Sequence, residues 1–255
     1  MERRLLHIKL ASVFIILTLA YLLKSIYSQG NSETLGWLLA PTAALVELFT
    51  GIPFVCEAGT GWVNYHHHVA IVPSCAGGNF LIILFCLLSL HCVYALRRMP
   101  SVKYLFPAIV LSLVFAYGAT LLVNSARIRV SIILYGADIY KGWLTPELVH
   151  RVAGIVIYYL SLLGCYTLLL MFLQKAAGQG AGSFRLLNGG VLLVPLLCYL
   201  LFTVGVPLVR STGIRDPEQF VYHALTVVGV SVGCTVVLLL GRCLFRQLMG
   251  RQVPR

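Results

Sequence analysis

Charge is what this chain has least of. Asp, Glu, Lys and Arg make up 11% of its 255 residues, against 59% apolar residues. A soluble domain carries about a quarter charged residues, so a water-exposed globule is excluded for want of polar surface to cover it. Also missing is any CxxC motif, and six of the eight cysteines (Cys86, Cys92, Cys165, Cys198, Cys234, Cys243) lie inside apolar runs, where Cys acts as a small hydrophobe. Neither a disulfide framework nor a zinc knuckle is indicated. There is no internal repeat and no long low-complexity tract. The first apolar run follows Arg3, Arg4 and Lys9 as a signal peptide would, yet it lacks a small-x-small cleavage site and reads as an uncleaved anchor.

What is present in quantity is hydrophobic length. Seven apolar runs approach the roughly 20 residues that a bilayer core demands of a helix, leaving about 70 to 100 residues for loops. That is too little for a separate soluble domain, so residues 1–255 read as one membrane domain. The expected fold is all-α, a polytopic integral membrane helix bundle. Its spans are expected near 10–28, 75–96, 104–124, 148–174, 187–208 and 222–243. A seventh stretch, Leu35 to Phe54, holds Pro41, Glu47 and Gly51-Ile52-Pro53, all awkward in a clean span. It reads as a re-entrant or interfacial helix. Residues 55–73 alternate weakly around a Gly-Thr-Gly turn and read as a short hairpin at the membrane surface. Residues 175–186 form a Gly/Ala-rich loop.

The net charge of +11 is spread in twos and threes at the ends of the apolar runs, which is a topology signal and not a nucleic-acid surface. With a cytoplasmic N-terminus and six spans, twelve of the 19 basic residues face the cytoplasm: Arg3, Arg4, Lys9, Arg97, Arg98, Lys103, Lys175, Arg185, Arg242, Arg246, Arg251 and Arg255. Lys24 can snorkel from a helix end. Arg127, Arg129, Lys141, Arg151, Arg210 and Arg215 face outward. A crossing by 35–54 would put the N-terminal cluster on the wrong side. This topology brings Cys75, Arg127 and His150, a nucleophile, a cation and a base, to one membrane face.

Each of the three has a plain structural reading beside the chemical one. Cys75 sits in Pro73-Ser74-Cys75-Ala76-Gly77-Gly78, where Ser74 is a natural N-cap. In a first helical turn its thiolate is favoured by the helix dipole, and the glycines after it suit close approach of another backbone, such as a peptide substrate. The alternative is a buried thiol beside a glycine-rich helix contact. His150 follows Thr145-Pro146-Glu147, a helix start, and shares a face with Gly154 and Tyr158. Gly154 admits a neighbouring helix and turns the histidine inward; the alternative is an interfacial imidazole satisfied by water. Arg127 has Asn124 three residues back on the same face, and Arg129 lies about 200° around the helix from it. An outward-facing Arg runs against the positive-inside bias, although a cation also complements a helix C-terminus. In the His66-His67-His68 run an extended backbone would pair His66 with His68, two imidazoles short of a zinc site's full ligand set. A wet surface loop is the simpler reading.

At these motifs the sequence resembles the exosortase/archaeosortase family, and within it the short exosortase K subtype. The resemblance rests on Ser74-Cys75-Ala76-Gly77, on Asn-x-x-Arg-Ile from Asn124 to Ile128, and on His-x-x-x-Gly from His150 to Gly154. It covers roughly residues 35–165, and its strength lies in the order and spacing of the set. Ala76 stands where many relatives have Ser, which touches the finer substrate contacts and not the nucleophile. The last two spans carry no motif of the family. The resemblance implies a cysteine-type protease and transpeptidase in the cell (inner) membrane, multi-pass, with its site on the extracytoplasmic side and with no cofactor or metal. Its partners would be membrane lipid and exported proteins ending in a short motif, a transmembrane helix and a basic tail. Cys75 would be the nucleophile, His150 the base and then the acid, and Arg127 the oxyanion donor.

Two other classes compete. A membrane haem or quinone protein would use His150 and His223 as paired ligands. A metal or small-solute transporter would use the histidine run, although Glu47 is the only acid in a stretch expected within the membrane, and coupled transporters place ionisable groups at midplane. The charge count predicts the topology. Single cysteines at positions 66 and 140 of a cysteine-free chain should react with an impermeant maleimide from outside, and those at 100 and 180 should not. Reaction at 66 only after permeabilisation would reverse the orientation.

Overall fold

The computed structural model describes residues 2–95, 104–137, 139–176, 189–209 and 217–250. Arg97, Arg98, Lys103, Arg185, Arg210, Arg215, Arg251 and Arg255, and most of the 175–186 loop, lie outside them. Helices α1 (Glu2–Gln29) and α2 (Gly36–Thr50) lead into strands β1 (Val55–Glu57), β2 (Gly61–Asn64) and β3 (Val69–Ile71). Helices α3 (Gly78–Ala95), α4 (Leu105–Gly136), α5 (Pro146–Ala176), α6 (Gly189–Leu200), α7 (Val206–Val209) and α8 (Pro217–Gly250) follow. Among the described residues, six helical segments are long and apolar enough to cross a membrane. The chain is an all-α polytopic bundle, a multi-pass membrane protein. Helices close every backbone hydrogen bond within the segment, which a hydrocarbon environment requires.

Contacts divide the chain into two compact units, Met1–Ala153 and Gly154–Arg255, with α5 running from one into the other. In the first unit α3 packs against α1 and α4, and α2 packs against α4. Helix α3 is apolar on all sides, from Phe80 through Leu88, and every one of those side chains is buried. A helix without a polar face belongs at the centre of a bundle. The stretch Pro73–Ala95 is 83% buried, against 17% for α1 and 22% for α4, so α1 and α4 carry the outward apolar surface and α3 the core.

The ambiguous stretch is the short helix α2. Its 15 residues rise about 22 Å, less than a bilayer core of about 30 Å. Pro41 lies inside it and has no N–H to give the Trp37 carbonyl one turn back. The Tyr117 hydroxyl on α4 donates to that carbonyl at 2.8 Å, with its ring stacked on Trp37 at 5.7 Å. A helix defect is thus repaired by the neighbouring helix. Gly51, at φ 71°, closes α2 with an N–H donated to Glu47 at 2.8 Å, and Pro53 prevents continuation.

The surface hairpin is one strand richer than expected. β1, β2 and β3 form an antiparallel meander, with Val55 opposite Val63 and Val63 opposite Ala70. Trp62 pairs with Ile71, which leads within two residues to a 3-10 turn over Pro73–Cys75.

That turn corrects the expected setting of Cys75. The thiol is not in the first turn of an α-helix, and Ser74 does not cap one. The turn closes through Cys75 N–H to the Val72 carbonyl at 2.7 Å, and α3 begins only at Gly78, after Gly77 at φ 72°. The glycines also have a cause within the fold. A Cβ on Gly77 would meet the Asn124 and Thr120 side chains at 3.2 and 3.3 Å, and one on Gly78 would enter the Tyr27 ring. α4 and α1 come this close because no side chain intervenes.

The third span differs as well. Expected to end near 124, it continues as α4 to Gly136. Arg127 and Arg129 are therefore interior helix residues, about two turns or more from the C-terminus, and the dipole explanation for them lapses, since that effect fades within the last turn.

In the second unit the Tyr159 hydroxyl bonds Thr235 at 2.6 Å, and its ring lies 5.8 Å from that of Tyr199. Leu201–Gly205 form a π-turn, with the Val206 N–H reaching back to the Leu201 carbonyl. Pro207 follows, and the widened turn accommodates a ring that lacks a donor.

The glycine contacts predict unequal costs. Gly77→Ala and Gly78→Ala should each destabilise the protein by about 1–3 kcal/mol, through strain or overpacking. Gly118, with open space around it, should tolerate Ala or gain up to about 1 kcal/mol. Thermal unfolding in detergent measures all three, and a neutral Gly77→Ala would remove the close-approach account.

Candidate active site

The two ends of the site arrive on different elements. Cys75 comes at the end of the path from β3, and His150 comes in the second turn of α5. Helix α5 starts as its sequence indicates: the Thr145 hydroxyl accepts the Leu148 N–H at 3.2 Å, with Pro146 at the first position. Between them α4 presents Asn124, Arg127 and Ser131 at helical spacings of three and four, on one face.

These residues form a continuous hydrogen-bonded chain. The Asn124 amide donates to the Cys75 carbonyl, and its oxygen accepts from Arg127 Nη1 at 3.4 Å. Arg127 Nη2 lies 2.9 Å from His150 Nε2. On the other side of the imidazole, Nδ1 is 2.9 Å from the Ser131 hydroxyl, which itself bonds the Arg127 carbonyl at 3.0 Å. Asn124 is fully buried, so both faces of its amide need partners, and both have them. Cys75, Arg127 and Ser131 are half-buried, while His150 is exposed.

The exposure of His150 is toward a cleft of about 530 Å³ that also takes in Cys75, Ser131, Tyr140, Glu147 and the whole of β3. Cys75, His150 and Ser131 thus line one space, with Arg127 reaching His150 from beside it. Arg129 is exposed on another face of α4 and joins none of these bonds. His66, His67 and His68 occupy the turn between β2 and β3, not an extended strand. His66 and His67 meet edge-on at 4.9 Å, and His68 adopts φ 53°. Only His67 and His68 reach the cleft, and among the described residues no three metal-ligating side chains gather. Beside that turn the Tyr65 hydroxyl donates to Glu57 at 2.8 Å. This bond and the carboxylate's charge raise the tyrosine above its ordinary pKa.

The sequence reading missed Ser131 and the use of Asn124 as a clasp on the Cys75 backbone. The signal for Ser131 was its spacing of four from Arg127, which has meaning only once α4 is known to continue past Arg129. Comparison of the chain with protein-family models, curated proteins and solved structures finds no match.

Proposed function

We propose that the cleft is the active site of a cysteine-type peptidase and transpeptidase of the exosortase kind, acting on exported proteins at the extracytoplasmic face of the cell membrane. The observation that carries this reading is the shared cleft of Cys75 and His150, linked at its side by Arg127 and Asn124. The resemblance in motif order points the same way. The free edge of β3 lines the cleft and runs toward Cys75, which suits a substrate held as an extended strand.

The chemistry follows from the donors and acceptors. A guanidinium has no acceptor, so the contact of Arg127 with His150 occupies the Nε2 lone pair. Nε2 can take the Cys75 proton only after that contact opens. The negative charge that develops on the scissile carbonyl oxygen is the natural alternative partner for Arg127. Thiolate attack on the carbonyl carbon gives the tetrahedral oxyanion. Collapse breaks the C–N bond, and the proton on Nε2 leaves with the departing amine. An acceptor amine or water then attacks the thioester, gives its proton to His150, and the sulfur leaves and is reprotonated.

A haem ligand requires an available ring nitrogen, whereas both nitrogens of His150 are engaged here, one by a cation. The peptidase reading uses that arrangement and the haem reading works against it.

The test is a processing assay with a substrate ending in motif, transmembrane helix and basic tail, normalised to membrane abundance. Cys75→Ala should abolish cleavage, while Cys86→Ala, a change in the core of α3, should leave the chemistry intact. Arg127→Lys should lose about 100- to 1000-fold, because a lysine cannot reproduce the planar fork that spans Asn124, His150 and the oxyanion. Arg129→Lys should change the rate by less than about threefold, under 1 kcal/mol. Full activity in Cys75→Ala would end the nucleophile assignment, and equal near-wild-type activity in the two lysine variants would remove Arg127 from the mechanism.

A further inference from the structure

We infer that Ser131 is the positioning residue of this site, holding His150 as the neutral tautomer protonated on Nδ1 so that Nε2 is the basic nitrogen facing the chemistry. The inference rests on the reading of His150 as the base. It goes beyond that reading in assigning a third group, on α4, to which no motif points.

Two independent hydrogen-bond requirements lead to the same proton position. The Ser131 hydroxyl owns one hydrogen, and its 3.0 Å bond to the Arg127 carbonyl uses it, since a carbonyl only accepts. Toward His150 Nδ1, 2.9 Å away, the serine oxygen can then only accept, so Nδ1 must carry the proton. On the far side of the ring Arg127 only donates, so Nε2 must present a lone pair. Serine and arginine agree on one tautomer. The bonds also close a ring: Arg127 side chain to imidazole, imidazole to Ser131, Ser131 back to the Arg127 backbone four residues earlier. The imidazole is therefore fixed in rotation as well as in protonation. In serine-type triads a buried carboxylate does this work by accepting from Nδ1–H. Here a hydroxyl does it, made a committed acceptor by the backbone carbonyl that takes its own hydrogen.

Removing the acceptor leaves Nδ1–H without its protein partner and without a fixed direction. The ring is then free to take the Nε2–H form, which turns a donor toward a guanidinium and offers no base to the thiol. Thr is the conservative replacement, because its hydroxyl can make the same bond to the carbonyl four residues back.

The experiment combines nitrogen-15 spectra of histidine-labelled protein with processing kinetics, on wild type, Ser131→Ala and Ser131→Thr. The His150 signal is assigned by its loss in His150→Gln. In wild type the imidazole should be protonated on Nδ1. In Ser131→Ala the signal should move toward the Nε2–H form and kcat should fall about 10- to 100-fold, with KM within about twofold. Ser131→Thr should restore both. A wild-type imidazole protonated on Nε2 overturns the inference, as does a Ser131→Ala protein whose spectrum and kcat match wild type. Should Ser131→Ala not accumulate, the wild-type spectrum and the Thr variant still decide it. A wild type that cleaves no substrate would fail the peptidase reading alone, because the spectra report Ser131 without any turnover.

Discussion

The site depends on one amide. Asn124 is fully buried in a membrane helix, where an unsatisfied donor or acceptor costs about 1–3 kcal/mol. It meets that demand by clasping the Cys75 carbonyl with its nitrogen and the Arg127 guanidinium with its oxygen. Hydrogen-bond satisfaction thereby becomes placement. The turn that bears the thiol is tied to the helix that bears the arginine, and Gly77 lets the two backbones approach closely enough for the bond to form. Little else needs to be stiff nearby: the clasp fixes Cys75 relative to α4, and the contacts of Arg127 and Ser131 fix His150 relative to the same helix.

The fold was legible where it follows from solvent. Hydrocarbon admits long apolar helices, and six segments of sufficient length could be read directly from composition. The same reasoning failed at the end of α4. Arg127 and Arg129 look like the boundary of a span, because charge marks the limit of hydrocarbon. Charge does not mark the limit of a helix, however. Helix α4 continues, and with it continues the face that carries Ser131. The start of α3 failed for the complementary reason. Ser-Cys-Ala-Gly-Gly reads as a capped helix onset, but Gly77 in the left-handed region inserts a break that depends on packing against Asn124 and Thr120. No local pattern encodes that contact.

For the three residues singled out from sequence, the expected topology grouped them at one membrane face, and the geometry adds how they are joined. Asn124 and Arg127 were already paired by their separation of three. His150 lies 23 residues beyond Arg127, across a helix end and a turn, so no sequence rule links the two. Similarly, nothing local predicts that Tyr117 would lend its hydroxyl to the carbonyl exposed by Pro41, since donor and acceptor stand 80 residues apart. Contacts of this kind are the part of the site that only folding reveals.

The overrun of α4 bears on how deep the proposed chemistry would lie. From Leu105 to Arg127 the helix rises about 33 Å at 1.5 Å per residue, close to the hydrocarbon thickness of about 30 Å. With Leu105 set at one boundary, Arg127 would stand at the other, and the turn bearing Ser131 would project into the headgroup layer. On the proposed reading, a thioester formed there would arise in a thin zone rich in water, phosphate and amines, beside acyl chains that exclude all three. The competition between hydrolysis and transfer would then be decided less by the protein than by which amine-bearing headgroups crowd that layer, making the surrounding lipid a co-determinant of the product.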